Sequence, residues 1–249
     1  MKNYIAIAAL LAAGSAFANA DVTLLDQDFT TLTGNTNDNT PAGWTAGQWN
    51  GNGNVPYYNF GENGATVGQP WKQNYLYTEL DLDSMGDWTI TFTLYNSVED
   101  TGNMFYLSSD KYSIVIGNSY TSNSEIYLGT LNEAVGRDFV CFQTGTKINP
   151  AVYANSEGLT VSGDLTYTLT LNSGVLDVAV ELSNGSSWEA KGLNVGDVTF
   201  DKLGFITDGS NTTAGVKNVS VTPIPEPSTF GLLAGLGALA LVGTRRRRK

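Results

Sequence analysis

The 249-residue chain has no histidine and one cysteine. Without histidine, Ser-His-Asp and Cys-His catalysis are excluded, as are the usual zinc sites. A single cysteine forms no intrachain disulfide, and Cys141, set in Asp138-Phe139-Val140-Cys141-Phe142, reads as a small buried residue in a strand rather than a nucleophile. No 3.6-residue apolar period appears between Asp21 and Thr222. Positive charge is scarce in the same region. Of 13 Lys and Arg, Lys2 and five terminal cations lie outside positions 21 to 224, which leaves 7 against 23 Asp and Glu and a net charge of −16. That balance argues against nucleic acid or anionic lipid as partners, although acidic surfaces also serve solubility alone. Carboxylates, hydroxyls and aromatics remain, a set that suits calcium binding, sugar binding or glycoside hydrolysis.

Both termini carry targeting patterns. Lys2, the apolar stretch Ile5 to Ala13 and the small-residue site Ala18-Asn19-Ala20 form a signal peptide over residues 1–20, so the mature chain is expected to begin at Asp21 and the protein to be exported. At the other end stand Pro225-Glu226-Pro227, an apolar Gly/Ala/Leu stretch from Phe230 to Val242, and the cations Arg245, Arg246, Arg247, Arg248 and Lys249. The two prolines hold an extended strip and block helix entry, after which Ser228 or Thr229 can cap a helix. A helix over 229–244 is short: about 15 residues give roughly 22 Å against a hydrocarbon core of about 30 Å. The basic tail 245–249 would hold it on the cytoplasmic side. A weakly inserting helix behind an accessible strip suits a processing signal better than a permanent anchor.

This order of elements resembles the PEP-CTERM sorting signal of Gram-negative bacteria. The resemblance implies an exosortase-type membrane peptidase as partner, transient association with the inner membrane, cutting near the triplet, and delivery to the cell surface or an extracellular polysaccharide matrix. A plain C-terminal membrane anchor is the alternative.

The region between the ends, 21–222, is expected to be one all-β domain. Thr89-Ile90-Thr91-Phe92-Thr93-Leu94-Tyr95 and Thr166-Tyr167-Thr168-Leu169-Thr170-Leu171 alternate strictly, as half-buried strands do. Asn172-Ser173-Gly174 then turns the second into Val175-Leu176-Asp177-Val178-Ala179-Val180 as a hairpin. Further strands are expected at Met104 to Leu107, Ser113 to Ile116, Glu125 to Leu128, Phe139 to Phe142, Leu203 to Ile206 and Val216 to Val221. Many short strands between Gly, Asn, Ser and Asp turns predict a two-sheet antiparallel sandwich. With Asp26-Gln27-Asp28-Phe29, the Pro41-Ala42-Gly43-Trp44 turn and the strand after Asp87, the domain resembles the concanavalin A-like, or laminin-G-like, jelly roll. That family includes lectins, polysaccharide-binding modules, laminarinase-type β-glucanases and adhesion domains, so the fold does not choose the function.

Two stretches bear on the choice. Glu79-Leu80-Asp81-Leu82-Asp83 alternates acid and apolar residues, which on a strand places three carboxylates on one face. It is similar to the Glu-x-Asp-x-Glu strip of laminarinase-type glucanases, with the shorter Asp83 in the last position. A retaining pair needs carboxyl groups about 5–5.5 Å apart, whereas four residues of strand cover roughly 13 Å. The simpler reading is the solvent face of a strand whose Leu80 and Leu82 face the core; β-glucan hydrolysis by Glu79, Asp81 and Asp83 is the alternative. Asp81-x-Asp83-x-x-Gly86-Asp87 leaves a weak, non-EF calcium reading, because Met85 takes a ligand position and Phe92 replaces the bidentate Glu. No other cofactor is implied.

The second stretch, Gly34 to Asn74, sets Trp44, Trp49, Tyr57, Tyr58 and Trp71, with Tyr75 just beyond, among Asn, Gly and Gln. Aromatic faces beside amides are what a neutral glycan requires: the ring stacks and the hydroxyls hydrogen-bond. Alternatively, Trp44 and Trp71 plug the sandwich end and Tyr57 and Tyr58 sit in a strand. The expectation is an exported, non-enzymatic surface or matrix protein whose sandwich binds glycan or is structural.

Overall fold

The computed structural model describes residues 23–48, 57–68, 74–82, 86–96, 101–108, 113–118, 126–131, 154–155, 163–194, 200–209 and 214–224. In chain order the strands are β1 (Leu25–Asp28), β2 (Gly34–Asn35), β3 (Trp44–Gln48), β4 (Tyr58–Gly61), β5 (Gly64–Val67) and β6 (Asn74–Glu79). There follow β7 (Trp88–Asn96), β8 (Thr101–Ser108), β9 (Ser113–Asn118), β10 (Ile126–Leu131) and β11 (Ala154–Asn155). The last are β12 (Gly163–Asn172), β13 (Val175–Leu182), β14 (Ser187–Asn194), β15 (Lys202–Gly209) and β16 (Ala214–Pro223). Between β1 and β2 a single 3-10 turn, Phe29–Thr31, is capped by Asp28, whose carboxylate accepts from the Thr30 N–H at 2.8 Å.

The strands form two antiparallel sheets. One has the order β14-β13-β12-β7-β16-β5-β4-β2, with β1 also paired to β16; the other runs β11-β10-β9-β8-β15-β6-β3. The C-terminal strand β16 is thus central, lined by β7 on one side and by β1 and β5 on the other. The expected antiparallel two-sheet sandwich is what forms.

Strand alternation decides which residues join the sheets. From β7, Trp88, Ile90, Phe92 and Leu94 point inward, in register with Leu171, Leu169, Tyr167 and Leu165 of β12, and all are buried. Phe92 is the junction: its ring stacks on Tyr167 of its own sheet at 4.7 Å and on Phe105 of β8 at 4.1 Å, while Phe205 of β15 meets it edge-on at 5.9 Å. Each such ring, fully buried, contributes about 1.5–3 kcal/mol by leaving water. The threonines between these positions face outward, which is the pattern β-branched hydroxyl residues suit.

One end of the interior is polar. Gln48, Asn74, Thr207 and Asn103 lie in one row across β3, β6, β15 and β8. Gln48 donates to Asn74 at 2.9 Å, and the Tyr58 hydroxyl donates to the Asn74 carbonyl at 3.0 Å and lies 3.2 Å from the Thr207 hydroxyl. Asn103 reaches across the sandwich and donates to the Gly215 carbonyl at 2.8 Å and the Tyr95 carbonyl at 3.2 Å. These bonds satisfy groups that burial would otherwise penalise.

The expected hairpin is β12–β13, paired from Leu165 opposite Leu182 to Asn172 opposite Val175. Its two tip residues both take positive φ, Ser173 at 52° and Gly174 at 76°, the type I′ geometry that matches strand twist. Serine is unusual there, and the Asp87 carboxylate holds it by accepting the Ser173 N–H at 2.7 Å. The strands expected around Met104, Ser113, Leu203 and Val216 fall within β8, β9, β15 and β16, and that at Glu125 to Leu128 overlaps β10. The expected strand Phe139 to Phe142 with Cys141, the signal peptide 1–20, the helix 229–244 and the basic tail lie outside the described residues. Among the described residues no helix is long and apolar enough to cross a membrane.

Candidate functional site

The outer face of the seven-stranded sheet is built from the alternate positions that the core does not use. In β6 these are Tyr75, Tyr77 and Glu79, since Leu76 faces the core. In β8, with Phe105 and Leu107 inward, they are Met104 and Tyr106, and in β15 they are Gly204 and Ile206. Met104, Tyr106 and Ile206 are nonetheless almost inaccessible, whereas Tyr75 and Tyr77 stay partly exposed, their ring centroids 6.2 Å apart with planes tilted by 31°.

Two glycines set how the tyrosines lie. Gly47 of β3 pairs with Tyr75, and a Cβ on Gly47 would occupy the space of the outer end of the Tyr75 ring. Gly204 of β15 stands between Tyr77 and Tyr106, and a Cβ there would come within 2.5 Å of the Tyr106 hydroxyl and 2.7 Å of the Tyr77 Cβ. Each ring end takes the place of a missing Cβ over the backbone of the next strand; Tyr75 keeps part of its surface accessible there, while Tyr106 is buried. The seats are cross-strand, so no local sequence signal announces them. Burial raises the Tyr75 phenol above its ordinary pKa, with smaller contributions from the nearby Tyr77 and Tyr57 phenols. Tyr57, named from the sequence as a glycan contact, is half-buried and packs against the core.

The other sequence-named aromatics fall differently. Trp44 is a core residue, 7% exposed, its ring stacked at 6.2 Å from Phe205 and edge-on to Phe29 at 5.0 Å. Tyr58 is fully buried with its hydroxyl inside the polar row, and burial drives its phenol far above the ordinary value. Neither can reach a ligand, because the inward alternation of β3 and β4 points both into the sandwich. Trp49 and Trp71 lie outside the described residues. Tyr77 and Tyr106 were not singled out from the sequence.

The carboxylate strip does not continue a strand. β6 ends at Glu79, yet the segment stays beside the residues ahead of β15: the Leu80 N–H donates to the Asp201 carbonyl at 2.9 Å, and the Leu82 N–H is shared between the Phe200 carbonyl at 3.2 Å and the Leu80 carbonyl at 2.9 Å, which bends the chain at Asp81. Leu82 is buried and Leu80 packs on the core, while Glu79 and Asp81 are exposed; Asp83 lies outside the described residues. Exposed Glu79 and Asp81 alternating with inward Leu80 and Leu82 are the solvent face that the simpler reading expected, bent at Asp81. Among the described residues no group of three or more His, Cys, Asp or Glu side chains could hold a metal ion. Asp87, the last member of the calcium pattern, is engaged by the hairpin tip at Ser173.

Residues 223–248 match the PEP-CTERM protein-sorting motif. The folded region is similar to the VIP36 exoplasmic/lumenal domain in its Ca2+/Man2-bound form, with a TM-score of 0.52 and 9% identity over 79% of this chain and 89% of that one. It is similar to the Emp47p carbohydrate recognition domain, with a TM-score of 0.51 and 14% identity over 82% and 96%. A third likeness is to the CBM2 module of Lactobacillus casei BL23 phage J-1 evolved Dit, with a TM-score of 0.50 and 10% identity over 83% and 97%. The domain has the concanavalin A-like jelly-roll fold. At such identities the likeness establishes fold and not ligand. A comparison with curated protein sequences gave no match.

Proposed function

We propose that this is an exported surface or matrix protein, sorted through its PEP-CTERM tail by an exosortase-type peptidase, whose sandwich is a non-catalytic module binding a neutral glycan on the outer face of the seven-stranded sheet. The domain would comprise 21–222, between a signal peptide at 1–20 and a sorting segment at 223–249, with Pro225, Glu226 and Pro227 as the recognised triplet and Arg245 to Lys249 as the topological hold. The observation that carries the binding reading is the aromatic face formed by the partly exposed Tyr75 ring, its outer end over Gly47, and the partly exposed Tyr77 beside it. Such a face offers a sugar ring an apolar surface to stack on, while the phenol oxygens and nearby amides serve its hydroxyls. Two of the similar structures are described as a carbohydrate recognition domain and as a mannose-oligomer complex, which supports the choice of ligand class. No described feature favours hydrolysis by Glu79, Asp81 and Asp83, given the turn at Asp81.

A glycan array probed with the mature protein tests the binding reading. We expect a neutral glycan to be retained, with retention abolished by Tyr75→Ala and nearly insensitive to salt, since stacking is not screened. Binding that survives Tyr75→Ala and Tyr77→Ala, or none to any glycan, contradicts it. For sorting, Pro225-Glu226-Pro227 replaced by three alanines should leave full-length, membrane-retained protein in the native host. Normal amounts of mature protein at the surface after that change would refute the role of the tail.

A further inference from the structure

The accessible part of the tyrosine face is one strand wide. Along β6 the outward positions are Tyr75, Tyr77 and Glu79, the first two partly exposed and the third exposed. Two residues of strand cover about 6.6 Å, and the two ring centroids stand 6.2 Å apart, so the three side chains form an evenly spaced row. Towards the centre of the sheet the row has no accessible apolar neighbour. Ile206 and Met104 continue from Tyr75 and are 1% and 3% exposed, while Gly204 and Tyr106 continue from Tyr77, the latter 1% exposed. On the other side lies β3, the last strand of this sheet among the described residues, which places Gly47 beside Tyr75 and the exposed Thr45 beside Tyr77. Opposite Glu79 on β15, Lys202 points outward because Leu203 faces the core.

We infer that the ligand is a linear neutral glycan chain laid along β6 rather than across the sheet, with consecutive sugar rings over Tyr75 and Tyr77 and the hydroxyls of the next ring held by Glu79 and Lys202. The inference rests on the tyrosine face being the binding surface. A chain crossing the strands meets a single row, and beside β6 each row continues in nearly inaccessible side chains or a glycine. A chain lying lengthwise meets both rings, and its second ring binds with little further loss of translational freedom. The 31° tilt between the ring planes suits a ligand whose successive rings are turned relative to one another. A carboxylate accepts from two hydroxyls and an ammonium donates to them, so the polar end of the row fixes the chain without a charged ligand. Glu79, the first acid of the strip, thereby serves binding rather than hydrolysis.

Calorimetric titration of the mature protein with cello-, laminari-, manno- and xylo-oligosaccharides of one to six rings tests this. In at least one series affinity should rise about tenfold or more from one ring to three. Tyr75→Ala and Tyr77→Ala should each weaken the trimer by about tenfold or more, and Glu79→Ala several-fold, with melting temperatures showing that each variant folds. Tyr77→Leu keeps apolar bulk without the π face and should weaken the trimer as well. A single sugar bound as tightly as the trimer, a trimer indifferent to Tyr77→Ala or to Glu79→Ala, or retention of branched glycans alone overturns the inference and leaves the tyrosine face standing as the binding surface. No glycan bound at all, or binding that survives the loss of both tyrosines, overturns both.

Discussion

On the outer face of the nine-stranded sheet, Thr89, Thr91 and Thr93 of β7 stand beside Thr170, Thr168 and Thr166 of β12 and, on the other flank, beside Thr222, Ser220 and Asn218 of β16. The outer face of the seven-stranded sheet carries Tyr75, Tyr77, Met104, Tyr106 and Ile206, interrupted by Gly47 and Gly204. Both faces are the unused alternation of strands closed over one core. The first is made of short hydroxyl side chains that water satisfies, and some satisfy each other, as Thr93 and Thr166 do at 3.3 Å. On the second, Met104, Tyr106 and Ile206 are already almost inaccessible, and the aromatic area it offers is that of the partly exposed Tyr75 and Tyr77, the end of Tyr75 lying over Gly47. Burying surface of the second kind releases free energy, while a ligand on the first must displace water from hydroxyls it can only replace one for one. That difference is why the proposed recognition surface is put on the tyrosine side.

The largest effect should come from the element the faces share. Phe92→Ala removes the ring that joins Tyr167, Phe105 and Phe205, and is expected to cost about 3–5 kcal/mol in a denaturant titration. A loss under about 1 kcal/mol would mean the sheets are held together elsewhere.

Alkaline pH should act next. Burial holds the phenols of Tyr58, Tyr106 and Tyr167 well above the ordinary value near 10. The folded state therefore keeps protons that the unfolded chain gives up, so stability is level below about pH 10 and falls as pH rises above it, on the order of 1.4 kcal/mol per pH unit for each tyrosine. Denaturation midpoints taken between pH 8 and 11 read this directly, and a midpoint unchanged to pH 11 would contradict the burial of these hydroxyls.

Much of the hydroxyl face was legible in the sequence, because strict Thr alternation in 89–95 and 166–171 has one reading. The hairpin followed from Asn172-Ser173-Gly174. The aromatic face was legible only in part. Met104-Phe105-Tyr106-Leu107 is apolar at every position, so nothing local says which of Phe105 and Tyr106 faces the core, and the glycine seats belong to other strands. Trp44 in the core and Tyr58 in a strand are what the sequence offered as the alternative to glycan contacts, and the inward alternation of β3 and β4 decides for it. The turn at Asp81 contains neither Gly nor Pro, and so the acidic strip read as straight strand.

Within the aromatic face the two glycines should differ. Gly204→Ala presses on Tyr106, which is 1% exposed and has no room to swing, so a cost of about 1–3 kcal/mol is expected. On the opposite face, Thr91→Val and Thr168→Val should change stability by no more than about 0.5 kcal/mol and leave glycan affinity unchanged. Loss of affinity there, with folding intact, would move the recognition surface to the hydroxyl side.

Gly47→Ala tests the central claim most directly. The added methyl group meets only the far end of the partly exposed Tyr75 ring, which can swing out, so the melting temperature should hold while the platform is lost. Calorimetric titration with the glycan that binds best is expected to show affinity at least about tenfold weaker, equivalent to about 1.4 kcal/mol. Undiminished affinity in folded Gly47→Ala would contradict the assignment of the tyrosine face as the binding surface.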